Sequence, residues 1–247
     1  MELEQSIKAN CLIMIDIATN IAALTAKIQQ VSAKSATCDR EITLIAVSKK
    51  QPAAAITQAH AAGQNHFGEN YVQEAVVKIA ELTQKSLIWH FLGPIQSNKT
   101  KLIAEYFDWV HSVDRLKVAQ RLSSQRCASL PPLNICLQVN IDQDPAKSGM
   151  TAADCMKIGL EVARLPNLRI RGLMVLPSQG QSDESLRASF RRGAGLFKEL
   201  GDYLRQHAAG DDFDCLSMGM SGDFELAIAE GSNMVRVGTA IFGPRSS

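Results

Sequence analysis

Nothing in the 247 residues approaches the run of about 20 apolar side chains that a membrane-spanning helix requires. The first residues place Glu2, Glu4 and Lys8 ahead of any apolar stretch, which is not the layout of a secretory signal. Paired cysteines are also missing. Cys11, Cys38, Cys127, Cys136, Cys155 and Cys215 are scattered, with no C-x-x-C pair and no metal-ligand spacing. Several lie inside apolar runs, so reduced core thiols in a cytoplasmic protein are expected. An excess of one charge is absent: 26 Lys and Arg stand against 25 Asp and Glu, a net charge of +1. That balance gives no basis for nucleic acid or an anionic membrane as the main partner. Nor does a Pro/Gly/Ser-rich linker or a low-complexity segment divide the chain.

What is present is a rhythm. After one amphipathic segment from about 5 to 33, with Ile17, Ile21, Leu24, Ile28 and Val31 spaced by fours and threes, short apolar runs alternate with helical segments. The runs fall at 44–48, 64–68, 88–92, 107–111, 134–141, 169–175, 213–218 and 233–237. Helices are predicted near 52–62, 70–83, 97–105, 114–126, 151–164, 182–207 and 221–230. Strict alternation implies parallel strands, and eight of them imply a closed barrel. The length agrees with the ~250 residues usual for a (β/α)8 TIM barrel. A single domain spanning 1–247 is expected, with 1–41 as an N-terminal helical extension and 42–247 as the barrel.

In such a barrel the ligand site lies where strands end. The first run, Leu44-Ile45-Ala46-Val47, exits into Ser48 and Lys49, so Lys49 is carried on a rigid element toward the open end of the sheet. An ordinary solvated strand-end lysine is the plainer alternative. Asn70 follows the second run and reads either as a site residue or, with Gln73, as a helix cap. His90 alternates within the third run, where a satisfied core histidine is the more frequent case. Ser221 reads as an N-cap after the seventh run, and Gly238-Thr239 follow the eighth; loops seven and eight are this fold's recurrent phosphate cradle. Gly219-Met220-Ser221-Gly222 is not a G-x-S-x-G nucleophile elbow, because the second glycine comes one residue early. Arg236 shares a strand face with Met234 and Gly238, and an arginine there is costly unless a carboxylate or a ligand acceptor meets it. An amine, a phosphate cradle and a central cation describe a ligand with a carbonyl, a phosphate and an acceptor. Pyridoxal 5′-phosphate (PLP) has all three.

Here five motifs resemble one family. They are Ala46-Val47-Ser48-Lys49, Phe67-Gly68-Glu69-Asn70-Tyr71-Val72-Gln73-Glu74, Trp89 through Lys99, Leu216 through Asp223, and Met234 through Gly243. The family is that of pyridoxal phosphate homeostasis proteins, single-barrel relatives of alanine racemase, and the likeness runs from about residue 5 to 243. It implies a fold-type III PLP-binding barrel lacking the C-terminal β domain. By the same resemblance Lys49 carries an aldimine, Ser221, Gly238 and Thr239 hold the phosphate, Arg236 faces the pyridine nitrogen, and Asn70 and His90 lie near the cofactor. Leu92 and Ile95 are conservative apolar departures, and Gln51 stands where a second basic residue is common.

Two functional classes follow. One is a PLP-binding regulator or carrier without turnover, monomeric and serving PLP-dependent apo-enzymes. The other is an enzyme, either a racemase-like PLP enzyme or a cofactor-free Schiff-base aldolase. Arg236 beside the ring nitrogen would weaken the ring as an electron sink, which favours the first. So does the lack of an added domain to supply a second acid/base.

Overall fold

The computed structural model describes residues 16–35, 41–83 and 86–244. Eight parallel strands close on themselves in sequence order: β1 (Thr43–Val47), β2 (His66–Glu69), β3 (Ile88–Phe91), β4 (Trp109–Val113), β5 (Leu133–Val139), β6 (Leu168–Val175), β7 (Cys215–Met220) and β8 (Met234–Val237). Closure is direct, with Ile45 opposite Arg236 and Ala46 opposite Val237. The chain is therefore the (β/α)8 TIM barrel that the alternation implied.

The helices are α1 (Ile17–Lys34), α2 (Ala53–Ala61), α3 (Val72–Glu81), α4 (Thr100–Tyr106), α5 (Leu116–Gln125), α6 (Ala152–Ala163), α7 (Asp183–Gln206), α8 (Phe224–Ala229) and α9 (Thr239–Phe242). Asp16 caps α1 by accepting from Thr19 N, so within the described residues the helix starts at Ile17; positions 5–15 of the expected helix lie outside them. The apolar stripe expected for α1 is the one it buries: Ile17, Ile21, Leu24 and Ile28. It packs against α2, α8 and α9, outside the seam where β1 meets β8. Asn20 adds a bond to the Ile241 carbonyl (2.9 Å).

Two apolar bodies hold the fold. The larger fills the space between strands and helices, through residues such as Phe67, Phe91, Ile103, Phe107, Leu133 and Phe190. The smaller occupies the barrel interior: Ile45, Leu92, Trp109, Cys136, Met174, Cys215 and Met234. Strand side chains alternate between the two, as a period of two requires. Cys136, Cys155 and Cys215 are buried thiols, whereas Cys127 is exposed; no disulfide joins the described cysteines. No helix among the described residues is long and apolar enough to cross a membrane.

The predicted runs locate every strand but shift several edges by one or two residues. Phe107 closes α4 rather than opening β4, and Phe213 stacks on Phe197 (5.0 Å) ahead of β7. Both are buried apolar residues outside the ladder, and an apolar run records burial rather than pairing. The four-residue α9 is too short to leave a periodic signal.

A candidate cofactor site at the carboxyl ends of the strands

At the exit of β1 the chain makes a tight turn. Ser48 N donates to the Gly68 carbonyl (2.9 Å), Gln51 N donates back to the Ser48 carbonyl (3.0 Å), and Lys49 and Lys50 occupy the corners. Lys50 takes a left-handed conformation, φ 61°, and is exposed; Lys49 turns into the open end of the barrel. Nearby, Gly93 lets two segments touch. A Cβ there would sit 2.1 Å from the Asn70 carbonyl oxygen.

The cavity at this end encloses about 560 Å³. Six of the seven residues singled out in the sequence line it: Lys49, Asn70, Ser221, Arg236, Gly238 and Thr239. Val47, Leu92, Met174 and Leu176 make its apolar floor and sides. Lys147, Ser148 and Gln179 also line it. They were missed because they arrive on loops after β5 and β6, where no strand or helix period marks them.

Two local readings need correcting. Ser221 is not a helix cap: Asp223 is the N-cap of α8, and Ser221 Oγ instead accepts from Gly238 N at 3.4 Å, joining the loops after β7 and β8. Nor does Asn70 cap α3, whose N-cap is Tyr71 without a side-chain bond. Its Oδ1 is buried and has no protein partner, a hydrogen-bonding group left over for a ligand.

His90 does not line the cavity. It lies deeper, wholly buried, in a chain of hydrogen bonds across the barrel interior. His66 Nδ1 meets His90 Nε2 (2.9 Å), His90 Nδ1 meets His111 Nε2 (2.9 Å), and His111 Nδ1 meets Ser217 Oγ (3.0 Å). Arg236 Nη1 donates to that same Ser217 Oγ (2.6 Å), and Nη2 donates to the Val175 carbonyl (3.3 Å). Arginine only donates, so Ser217 Oγ accepts from Arg236; with its proton then given to His111 Nδ1, each histidine donates in turn through Nε2, an arrangement that satisfies every member of the chain. Trp109 stacks on His90 at 5.5 Å. Burial pushes His90 well below its ordinary value, and burial with the Arg236 charge pushes His111 down to about 3, so both rings stay neutral. Burial also lowers Arg236, to about 10, while Asp223 opposes the shift; it remains charged at neutral pH.

A model of the alanine racemase N-terminal domain matches residues 19–246. A pyridoxal phosphate homeostasis protein of Pseudomonas aeruginosa is 51% identical over 232 residues, which cover 94% of this chain and 97% of the relative. The chain belongs to the pyridoxal phosphate homeostasis protein family. A solved structure of PipY from Synechococcus elongatus with PLP bound is 41% identical, spans 92% of this chain and 100% of its own, and superposes with a TM-score of 0.79. The fold is shared more widely. Alanine racemase of Clostridium difficile matches at 14% identity and a TM-score of 0.67, with 58% of its own chain covered. Family members carry a name that describes homeostasis rather than a reaction.

A second buried charge, behind the cavity wall, was not recognised in the sequence. Lys78 lies on the stripe of α3 that also buries Val72 and Ala75, and its ammonium meets Glu69 and Glu74. A lysine on the apolar face of an amphipathic helix was the available signal. No group of three or more His, Cys, Asp or Glu that could hold a metal occurs among the described residues.

Proposed function

We propose that this protein binds PLP in the cavity at the strand ends and serves PLP homeostasis as a carrier or regulator. One observation carries the reading: a single cavity brings together an amine at the exit of β1, a cation on β8 and hydroxyl-bearing segments just after β7 and β8. The residues present fit the group. Lys49 offers the amine, and Asn70 offers an amide oxygen that no protein group satisfies. The Ser221 and Thr239 hydroxyls with the Gly238 N–H would hold the phosphate, and the 3.4 Å contact between Ser221 and Gly238 is weak enough to be exchanged for a phosphate oxygen. His90 acts one step back, through His111 and Ser217, by holding the guanidinium of Arg236 in place.

When bound, the cofactor supplies an aldehyde carbon that condenses with a primary amine with loss of one water, and a conjugated ring whose absorption reports that bond. The protein's own residues then favour holding over turnover. Arg236 lies wholly buried and charged on the cavity wall, and a fixed cation beside a ring nitrogen opposes its protonation. Among the described residues that line the cavity, Lys147 is the one acid or base besides Lys49 and Arg236, so any second proton-transfer step would fall to it. Apo-enzymes that need PLP are the partners such a carrier implies, and a monomer is the expected state.

The test is the visible spectrum of protein mixed with PLP, before and after borohydride, followed by peptide mapping. A pyridoxyl group fixed on Lys49 is the expected result. A label found mainly on Lys50, Lys99 or Lys147 overturns the assignment, and a protein that takes up no PLP overturns the reading.

A further inference from the structure

We infer that Lys78, held between Glu69 and Glu74, is the positioning residue that fixes the backbone on both sides of Lys49. The inference rests on the proposal that the Lys49 amine captures the cofactor. Lys78 is almost wholly buried, its side chain 8% exposed, and all three ammonium protons are used. They go to the Ser48 carbonyl (2.8 Å), Glu69 Oε1 (2.8 Å) and Glu74 Oε1 (2.6 Å). The two carboxylates reach the same turn from their other sides. Glu69 Oε1 accepts from Ser48 Oγ (2.7 Å), and Glu74 Oε1 accepts from Lys50 N (2.5 Å).

Two peptide planes meet at the Lys49 Cα. One contains the Ser48 carbonyl, which Lys78 holds; the other contains the Lys50 N–H, which Glu74 holds. Fixing both planes fixes φ and ψ of Lys49, and with them the direction in which its side chain leaves the wall. The turn needs holding. Lys50 sits at φ 61°, a region that disfavours L side chains other than Asn, Asp and Gly. None of Lys78, Glu69 and Glu74 lines the cavity, so the three act on a ligand only through the turn. A buried ion cluster is a poor source of net stability, but it specifies one geometry well. Glu69 bears the cost: its Oε2 is buried with no partner, and burial pushes its carboxyl upward.

The experiment compares two ligands on the full-length protein. PLP has an aldehyde that depends on where the Lys49 amine points; pyridoxamine 5′-phosphate keeps the ring and phosphate but has no aldehyde. In Lys78→Met, PLP affinity should fall by about tenfold while pyridoxamine 5′-phosphate affinity changes by less than about twofold. Adding Lys50→Gly, which removes the strain at the turn's corner, should restore part of the lost PLP affinity. Should Lys78→Met fail to fold, Glu74→Gln keeps an acceptor for Lys50 N and removes only the charge. It should then show a smaller loss confined to PLP. Equal losses for both ligands, or an unchanged PLP affinity, overturn the positioning role. A borohydride-stable label that survives Lys49→Ala is a different result: it removes the reading of Lys49, and the inference falls with it.

Discussion

Acidification from pH 7 to pH 5 should destabilise this fold by about 2 kcal/mol through His111 alone. The ring is fully buried, and its native value of about 3 is set first by burial and then by the Arg236 charge. In the unfolded chain a histidine titrates near ~6.5. Between those values the unfolded state takes up a proton and the native state does not. Stability from this group is therefore fully present above ~6.5, falls as the pH drops toward 3, and stops falling below it. With the native proton loss far below pH 5, the free-energy change is set almost wholly by the unfolded titration, RT ln(1 + 10^1.5) less its small value at pH 7, or about 2 kcal/mol. His90 shifts in the same direction for the same main cause and adds to the loss. Urea unfolding followed by Trp fluorescence at the two pH values measures the effect, and an unchanged slope shows that the same surface is exposed. His111→Gln supplies the control, since its amide can accept from Ser217 and donate to His90 without titrating. The variant should lose about 2 kcal/mol less than the parent over the interval. An identical pH dependence in parent and variant, or an imidazolium NMR signature for His111 at pH 6, would refute the neutral chain.

Two further outcomes test the site. Thr239→Val removes one hydroxyl from the proposed phosphate cradle, and at roughly 1.5–3 kcal/mol for a bond to a charged group PLP affinity should fall about ten- to a hundredfold. Equilibrium titration should find unphosphorylated pyridoxal nearly indifferent, and equal losses for both ligands would place the phosphate elsewhere. The protein with added PLP should leave the Cα proton of alanine in place: NMR in deuterated solvent should show exchange no faster than with free PLP. Exchange well above that rate, abolished in Lys49→Ala, would establish the enzyme reading instead.

The barrel was legible because its signal is redundant. Eight apolar runs separated by helical periods point to one topology even when single edges are misplaced, as at Phe107 and Phe213. Residues at strand ends that line the cavity were legible for the same reason, since their position in the rhythm assigns their direction. Arg236 was placed on the face of Met234 and Gly238, and that face is the one turned into the barrel and its cavity. Groups whose meaning lies in a distant partner were not legible. His90 reads more often as a satisfied core histidine and, by resemblance, as a neighbour of the cofactor; what satisfies it shows only when His66, His111 and Ser217 appear beside it from β2, β4 and β7. Lys147 and Gln179 gave no sign because loop residues have no period to betray them.

The two buried cations at this end of the barrel show how position and partners separate their roles. Lys78 meets two carboxylates and a carbonyl, spends every proton, and lies off the cavity. Nothing remains for a ligand, so its influence must pass through the turn it holds. Arg236 donates to two neutral oxygens, Ser217 Oγ and the Val175 carbonyl, and lines the cavity. A guanidinium offers five donors, so protons remain for an acceptor the protein does not provide. Charge counting agrees with the proton counting. Two carboxylates more than neutralise Lys78, whereas no carboxylate is hydrogen-bonded to Arg236 and only the charge of Asp223 acts on it from further off, so its field reaches into the cavity. An anionic ligand with a ring acceptor completes the second arrangement and would be redundant in the first. This difference is why the proposed reading gives Arg236 to the ligand and Lys78 to the backbone that presents Lys49.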